Sequence, residues 1–172
     1  MVNRQAVLQA AIALTLEQGT AASIPEVARA VGLTKQGVLH YFPSRAALDE
    51  AVLLNALDRV DTERIAAARH ARAAETYLRL AAPTDQDRAA ALVMVTMLRR
   101  GDAAALAAVE AAVMRWQSMI AEELGDPVRA QVVRLVGDGL FSESLVTGKP
   151  PSPDLLDALI AHLIHDAAAS RS

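Results

Sequence analysis

Three features of the sequence predict an all-α fold. Alanine and leucine dominate it, aromatic residues make up only 3%, and no segment alternates β-branched residues between turn signals. Alanine loses no side-chain entropy in a helix and leucine loses little, so this composition leans toward helices before any pattern is considered. With 53% hydrophobic and 22% charged residues, the 172-residue chain has ample material for a core and little case for disorder. Cysteine is absent, which excludes disulfides, thiolate catalysis and cysteine-ligated metal and fits a reducing cytoplasm. The apolar run after Arg4 faintly imitates a signal peptide, but Gln5, Gln9 and Glu17 interrupt it. No stretch approaches the roughly 18 apolar residues a membrane span needs, so a soluble, cytoplasmic protein without membrane contact is expected.

The pattern divides into helices joined by recognisable punctuation. Residues 4–18 place Val7, Ala11 and Leu14 at helical spacing, and Gly19 ends the segment. Ser23-Ile24-Pro25-Glu26 has the form of a capping box with proline in the first turn, where its missing donor is harmless. That second helix is short, because Gly32 suits a left-handed C-terminal residue. Thr34 then caps a third helix over 35–41, Phe42-Pro43 breaks it, and Ser44 caps a fourth that begins at Arg45. The helical pattern continues through 56–82 to Pro83. Further helices are expected over 86–99, 103–124, 127–146 and 154–169, separated by Gly101-Asp102, Gly125-Asp126 and the loop from Gly148 to Pro153. Gly137-Asp138-Gly139 resembles a turn but sits inside a strong helical pattern and is read as helix.

Two short helices meeting across a Gly-containing turn form the pattern of a helix-turn-helix, whose second helix enters the major groove. The net charge of −3 is awkward for a DNA-binder, but its distribution is uneven. Up to Leu48 the cations Arg4, Arg29, Lys35 and Arg45 outnumber Glu17 and Glu26, and the rest of the chain is acidic. The candidate DNA-binding residues are Ser23, Thr34, Lys35, Gln36, Gly37, His40, Tyr41 and Arg45. Thr34 can cap the helix and donate to phosphate, while Lys35 and Gln36 project from its first turn toward base edges. Gly37 permits close approach of the backbone to DNA, His40 and Tyr41 can hold phosphates on the groove wall, and Arg45 adds charge at a helix N-terminus. Val38, Leu39 and Phe42 are expected to pack inward against Val27 and Leu14.

The continuous run from Val27 to Leu48 resembles the DNA-binding signature of the tetracycline-repressor (TetR) family. The shared order is an alanine-rich second helix, a glycine, a Ser or Thr cap, a recognition helix closing on aromatics, then a basic residue opening the next helix. The resemblance implies a dimeric repressor with a divergent ligand domain. Gln36 stands where the family often has glycine, and His40-Tyr41 reverses the usual order, so base preference does not carry over.

The expected organisation is a helix-turn-helix domain over residues 1–48 and a helical ligand-binding and dimerisation domain over 49–172. A palindrome-reading protein needs two-fold symmetry, and a homodimer needs a self-complementary apolar surface. One candidate stripe carries Val132, Val136 and Leu140, a second Leu155, Leu159 and Leu163; periodicity alone leaves open whether these are dimer seam or internal core. Candidate pocket residues are Met94, Met97, Trp116, Met119, Asp138 and Phe141, because adaptable side chains suit a malleable cavity, although methionines at helical spacing also serve as core. Asp138 or Glu143, if turned inward, favours a cationic ligand. His162, His165 and Asp166 have spacing compatible with a metal, but polar residues at a helix end are ordinarily solvated, so no metal and no cofactor is expected. No nucleophile elbow, phosphate-binding loop or zinc-helix motif occurs, so no catalytic residues are assigned. The expected partners are double-stranded DNA with a palindromic operator, a second copy of the chain and a small-molecule effector. The competing reading is a non-catalytic helical module that binds a small molecule or a protein.

Overall fold

A computed structural model describes residues 2–166, Asp166 by its backbone alone. In chain order the helices are α1 (Arg4–Gln18), α2 (Ile24–Ala30), α3 (Lys35–Tyr41), α4 (Arg45–Ala68), α5 (Ala73–Arg79), α6 (Asp85–Arg100), α7 (Ala103–Leu124), α8 (Pro127–Thr147) and α9 (Pro153–Ile160). A π-helical turn, Ala161–Asp166, follows α9. Among the described residues there is no strand, as an all-α fold requires. The expected helix end at Ala169 lies outside the described residues.

The chain forms two compact units: residues up to Arg59 with Thr84–Val109, and Val60–Pro83 with the chain from Glu110 onward. In the first, α1 packs on α2, α3 and α6. Val7, Leu8, Val27, Val38, Phe42, Leu48, Val93 and Met97 are buried together in its core. The Thr15 hydroxyl, itself buried, accepts the Ala22 amide at 3.2 Å and ties down the loop that enters α2. Two carboxylates brace the unit. Asp49, 2% exposed, accepts Arg45 Nε at 2.7 Å and Arg100 Nη1 at 2.8 Å, joining α4 to α6. Asp87 accepts Arg59 Nη2 at 2.7 and 2.8 Å while also completing the capping box with Thr84 that starts α6.

In the second unit α5 packs against α8 and α9. The sequence pattern runs through 56–82 without interruption, yet α4 ends at Ala68 and α5 begins at Ala73. No glycine or proline marks the break, and Ala71 adopts φ +50° instead. Arg72 supplies no side-chain cap to α5; the Glu123 carboxylate of α7 does so, accepting the amides of Ala73 and Ala74. The cap is therefore tertiary and invisible to local spacing. Arg129 of α8 donates through Nε and Nη2 to the carbonyls of Leu163 and Ile164, holding the π-helical turn.

Gly137-Asp138-Gly139 is helical, as expected, within α8. The reason for Gly137 is steric: a Cβ there would lie 2.6 Å from the Tyr77 ring, so the glycine lets α5 and α8 come close. Gly139 faces open space. The two positions therefore make opposite predictions within one helix. Gly137→Ala should lower stability by about 1–2 kcal/mol, because overpacking against a buried ring costs about 1–3 kcal/mol and outweighs the helix-propensity gain of about 1 kcal/mol. Gly139→Ala should raise the thermal midpoint; equal shifts of the same sign for the two variants would contradict the packing account.

Candidate nucleic-acid interface

The turn between α2 and α3 is built by local chemistry. Ser23 and Glu26 form the capping box that starts α2, with the Ser23 amide and hydroxyl donating to Glu26 Oε2 at 2.8 and 2.6 Å. These hydrogen bonds hold the Glu26 carboxyl below its usual range, so the box is intact above that range and weakens as pH falls. At the far end of α2, Gly32 adopts φ +68°, a conformation that a side chain disfavours, and the Leu33 amide donates back to the Ala28 carbonyl at 2.9 Å. Thr34 then caps α3, its Oγ1 accepting the Gly37 amide at 3.1 Å.

The faces of α3 are chemically distinct. Val38 and Phe42 are buried, Leu39 is half-buried against the same core, and Thr34, Lys35, Gln36 and His40 are exposed. A helix of this length can bury one side only, so its apolar spacing sets which residues meet solvent. Gly37 is half-buried, and a Cβ there would stand 3.3 Å from Leu33 Cβ and 3.5 Å from Thr34 Oγ1. The glycine thus relieves crowding at the cap, a reason for it that lies inside the protein.

Besides Thr34, whose Oγ1 caps α3, three of the expected contact residues have internal partners. The Ser23 hydroxyl is engaged in the capping box. Tyr41 donates its hydroxyl to the Val2 carbonyl at 2.9 Å, pinning the chain that leads into α1, and stands edge-on to His40 with ring centres 5.5 Å apart. Arg45 donates through Nε to Asp49 at 2.7 Å and through Nη2 to the Ala21 carbonyl at 2.6 Å. The spacing of Arg45 and Asp49, four apart on one helix, carried that signal in the sequence; the link to Ala21 did not. Two further cations, Arg4 and Arg29, are exposed, with Arg4 lying 4.6 Å from the Phe42 ring centre. The set left outward on α3 and its cap is Thr34, Lys35, Gln36 and His40.

The six candidate pocket residues fall into both units. Met97 is packed in the core of the first, where Met94 is half-buried. In the second, Trp116 is buried, and Met119 and Phe141 are half-buried. Asp138 is engaged on both oxygens, accepting the Tyr77 hydroxyl at 2.6 Å and Arg134 Nη1 at 2.5 Å. Of the candidate dimer residues, Val132 and Leu155 are exposed and Val136, Leu140, Leu159 and Leu163 are half-buried. Val128 and Leu135 add exposed apolar surface on α8. His162 and His165 are exposed, the Asp166 side chain lies outside the described residues, and among those residues no group of three or more metal-binding side chains converges. No described helix is long and apolar enough to cross a membrane.

Comparison with known proteins matches residues 7–52 to the description "Bacterial regulatory proteins, tetR family" and residues 71–168 to "Tetracyclin repressor-like, C-terminal domain". No curated protein sequence matches the chain. Among solved structures, Salmonella enterica GusR has a TM-score of 0.67 at 17% identity, covering 93% of this chain and 92% of that one, a likeness of fold. The C-terminal match alone spans more than half of the sequence, and the N-terminal match coincides with the capped α2–α3 turn: the chain belongs to the tetR family of bacterial regulatory proteins and is a DNA-binding regulator.

Proposed function

We propose that the protein is a repressor that binds a palindromic operator as a homodimer, sets α3 of each subunit into the major groove, and is released when a small-molecule effector occupies the second unit. The observation that carries this reading is the exposed edge of α3, Thr34 to Gln36 with His40, backed by the buried Val38 and Phe42. Lys35 and Gln36 at the helix N-terminus have the chemistry to read base edges, Lys35 toward guanine and Gln36 toward adenine. Thr34 and His40 serve phosphates beside them. The dimer half of the proposal is supported by the apolar residues left exposed, Val128, Val132 and Leu135 at helical spacing along one side of α8 and Leu155 on α9, since apolar surface of this kind calls for a cover. The effector half is supported by α4, one continuous helix that contributes residues to both units, so a state bound in one can bias the other by differential affinity. Arg45 is assigned a different part from the phosphate contact its position suggested: its two internal hydrogen bonds make it a clamp on the first turn of α4.

Selection of random duplexes with purified protein tests the central reading. It should enrich two inverted half-sites whose centres are separated by whole helical turns of about 10–10.5 base pairs. Enrichment of nothing, or of a single unrepeated site, would contradict it. Lys35→Ala should cost about 1–3 kcal/mol of operator affinity and relax preference at one base position. Arg45→Ala should instead lower the thermal midpoint while leaving the slope of affinity against salt unchanged; a slope reduced by about one unit would return Arg45 to the phosphates. Val132→Glu with Leu155→Glu should yield a monomer by sedimentation, with operator affinity down at least tenfold. A dimer that persists would move the seam elsewhere.

A further inference from the structure

Arg64 lies on the part of α4 that belongs to the second unit, and only 8% of it is exposed. Its guanidinium carbon stands 3.9 Å from the ring centre of Tyr77 and 3.9 Å from that of Trp116. Aromatic contact of this kind stabilises the charge of a guanidinium and leaves its N–H groups in need of acceptors. Two of those nitrogens, Nε and Nη1, are buried and have no acceptor. A desolvated cation with unmade hydrogen bonds is among the costliest groups a fold can retain, and native structures rarely leave one without a reason. Burial lowers its pKa, an effect opposed by Tyr77, Asp138 and Asp61.

The surrounding carboxylates are already taken. Asp61 accepts Arg115 Nη2 and Trp116 Nε1, each at 2.5 Å. Asp138 accepts the Tyr77 hydroxyl and Arg134 Nη1. Three guanidinium groups therefore share two acids in this cluster, and the one left without a carboxylate is the buried one. A cationic ligand, which an inward Asp138 had favoured from sequence, would meet a carboxylate already neutralised and a buried positive charge beside it.

We propose that Arg64 anchors a small organic carboxylate, and that this is the class of effector the second unit takes. The inference rests on the proposed effector control of operator binding for its consequence, though not for the binding itself. A carboxylate supplies the acceptors that Nε and Nη1 lack and the charge that the cluster lacks, and its hydrogen bonds to guanidinium are of the charge-assisted, stronger kind. Tyr77 and Trp116 pack against the buried guanidinium and restrict the side chain, so little ordering is required when the anion arrives.

Trp116 is the single tryptophan of the chain and touches Arg64, so its fluorescence reports on the site directly. The experiment titrates the full-length protein with a series of aliphatic and aromatic monocarboxylates from acetate to naphthoate, each beside its primary amide and its amine. At least one carboxylate should change Trp116 emission saturably and bind at least tenfold more tightly than its amide and amine. Arg64→Gln should abolish that preference and Arg64→Lys retain part of it, with circular dichroism confirming that each variant is folded; if neither folds, the carboxylate-to-amide ratio in the native protein decides. Amides binding as tightly as their acids, a preference for amines, or no saturable response to any carboxylate overturns the proposal. Operator binding measured in parallel separates the two readings. A carboxylate that binds through Arg64 without weakening DNA binding contradicts the effector role and leaves the anion site standing, whereas an amine that releases DNA does the reverse.

Discussion

The arrangement depends on a division of labour within one seven-residue helix and the two residues that cap it. Val38 and Phe42 are drawn into the core of the first unit together with Val7, Val27 and Leu48, and that burial fixes the rotation of α3 about its axis. Once the rotation is set, Thr34, Lys35, Gln36 and His40 have no choice but to face solvent. A helix so short has little stability of its own. Its geometry is therefore borrowed from the caps at either end of α2, the left-handed Gly32 and the tie between Thr15 and Ala22. Of the outward residues only Thr34, which caps α3, belongs to that scaffold; Lys35, Gln36 and His40 are held by it without supporting it, which is what allows them to vary without loss of the fold.

The ionic contacts of the first unit serve that scaffold. Asp49 collects Arg45 and Arg100, and Arg45 reaches on to the Ala21 carbonyl just before α2. Through three side chains the entry to α2, the start of α4 and the end of α6 are linked. Arg45 and Arg100 remain about one-third exposed, so these pairs act more as geometric constraints than as large sources of stability. In the second unit the balance is different. There Arg64 is buried among aromatic rings, and its surplus charge sets what can be accommodated beside it.

Much of this was legible in the sequence because it is governed by neighbours along the chain. The capping box at Ser23, the glycine after α2, the breaks at Gly101 and Gly125, and the helical reading of Gly137 to Gly139 all follow from spacing of a few residues. What escaped was set by residues distant in sequence. The break at Ala71 has no local signal, since Glu123 supplies the missing cap from another helix. The Tyr41 hydroxyl and the Arg45 guanidinium resemble phosphate donors until Val2 and Ala21 are found in front of them. Arg64 lies in an alanine-rich, charged stretch where arginine ordinarily means a solvated helix face, and only the tertiary placement of Tyr77 and Trp116 marks it out. Apolar stripes on α8 and α9 were visible from periodicity, but periodicity does not say what covers them.

The claim that α3 presents its exposed edge to a duplex is tested most directly by following backbone amide resonances as an enriched operator duplex is added. The account requires the largest shifts at residues 34–37 and 40, small shifts at the buried positions 38 and 42, and none of comparable size in α9. Shifts centred outside the first unit, or an α3 that stays silent while the complex forms, would contradict it.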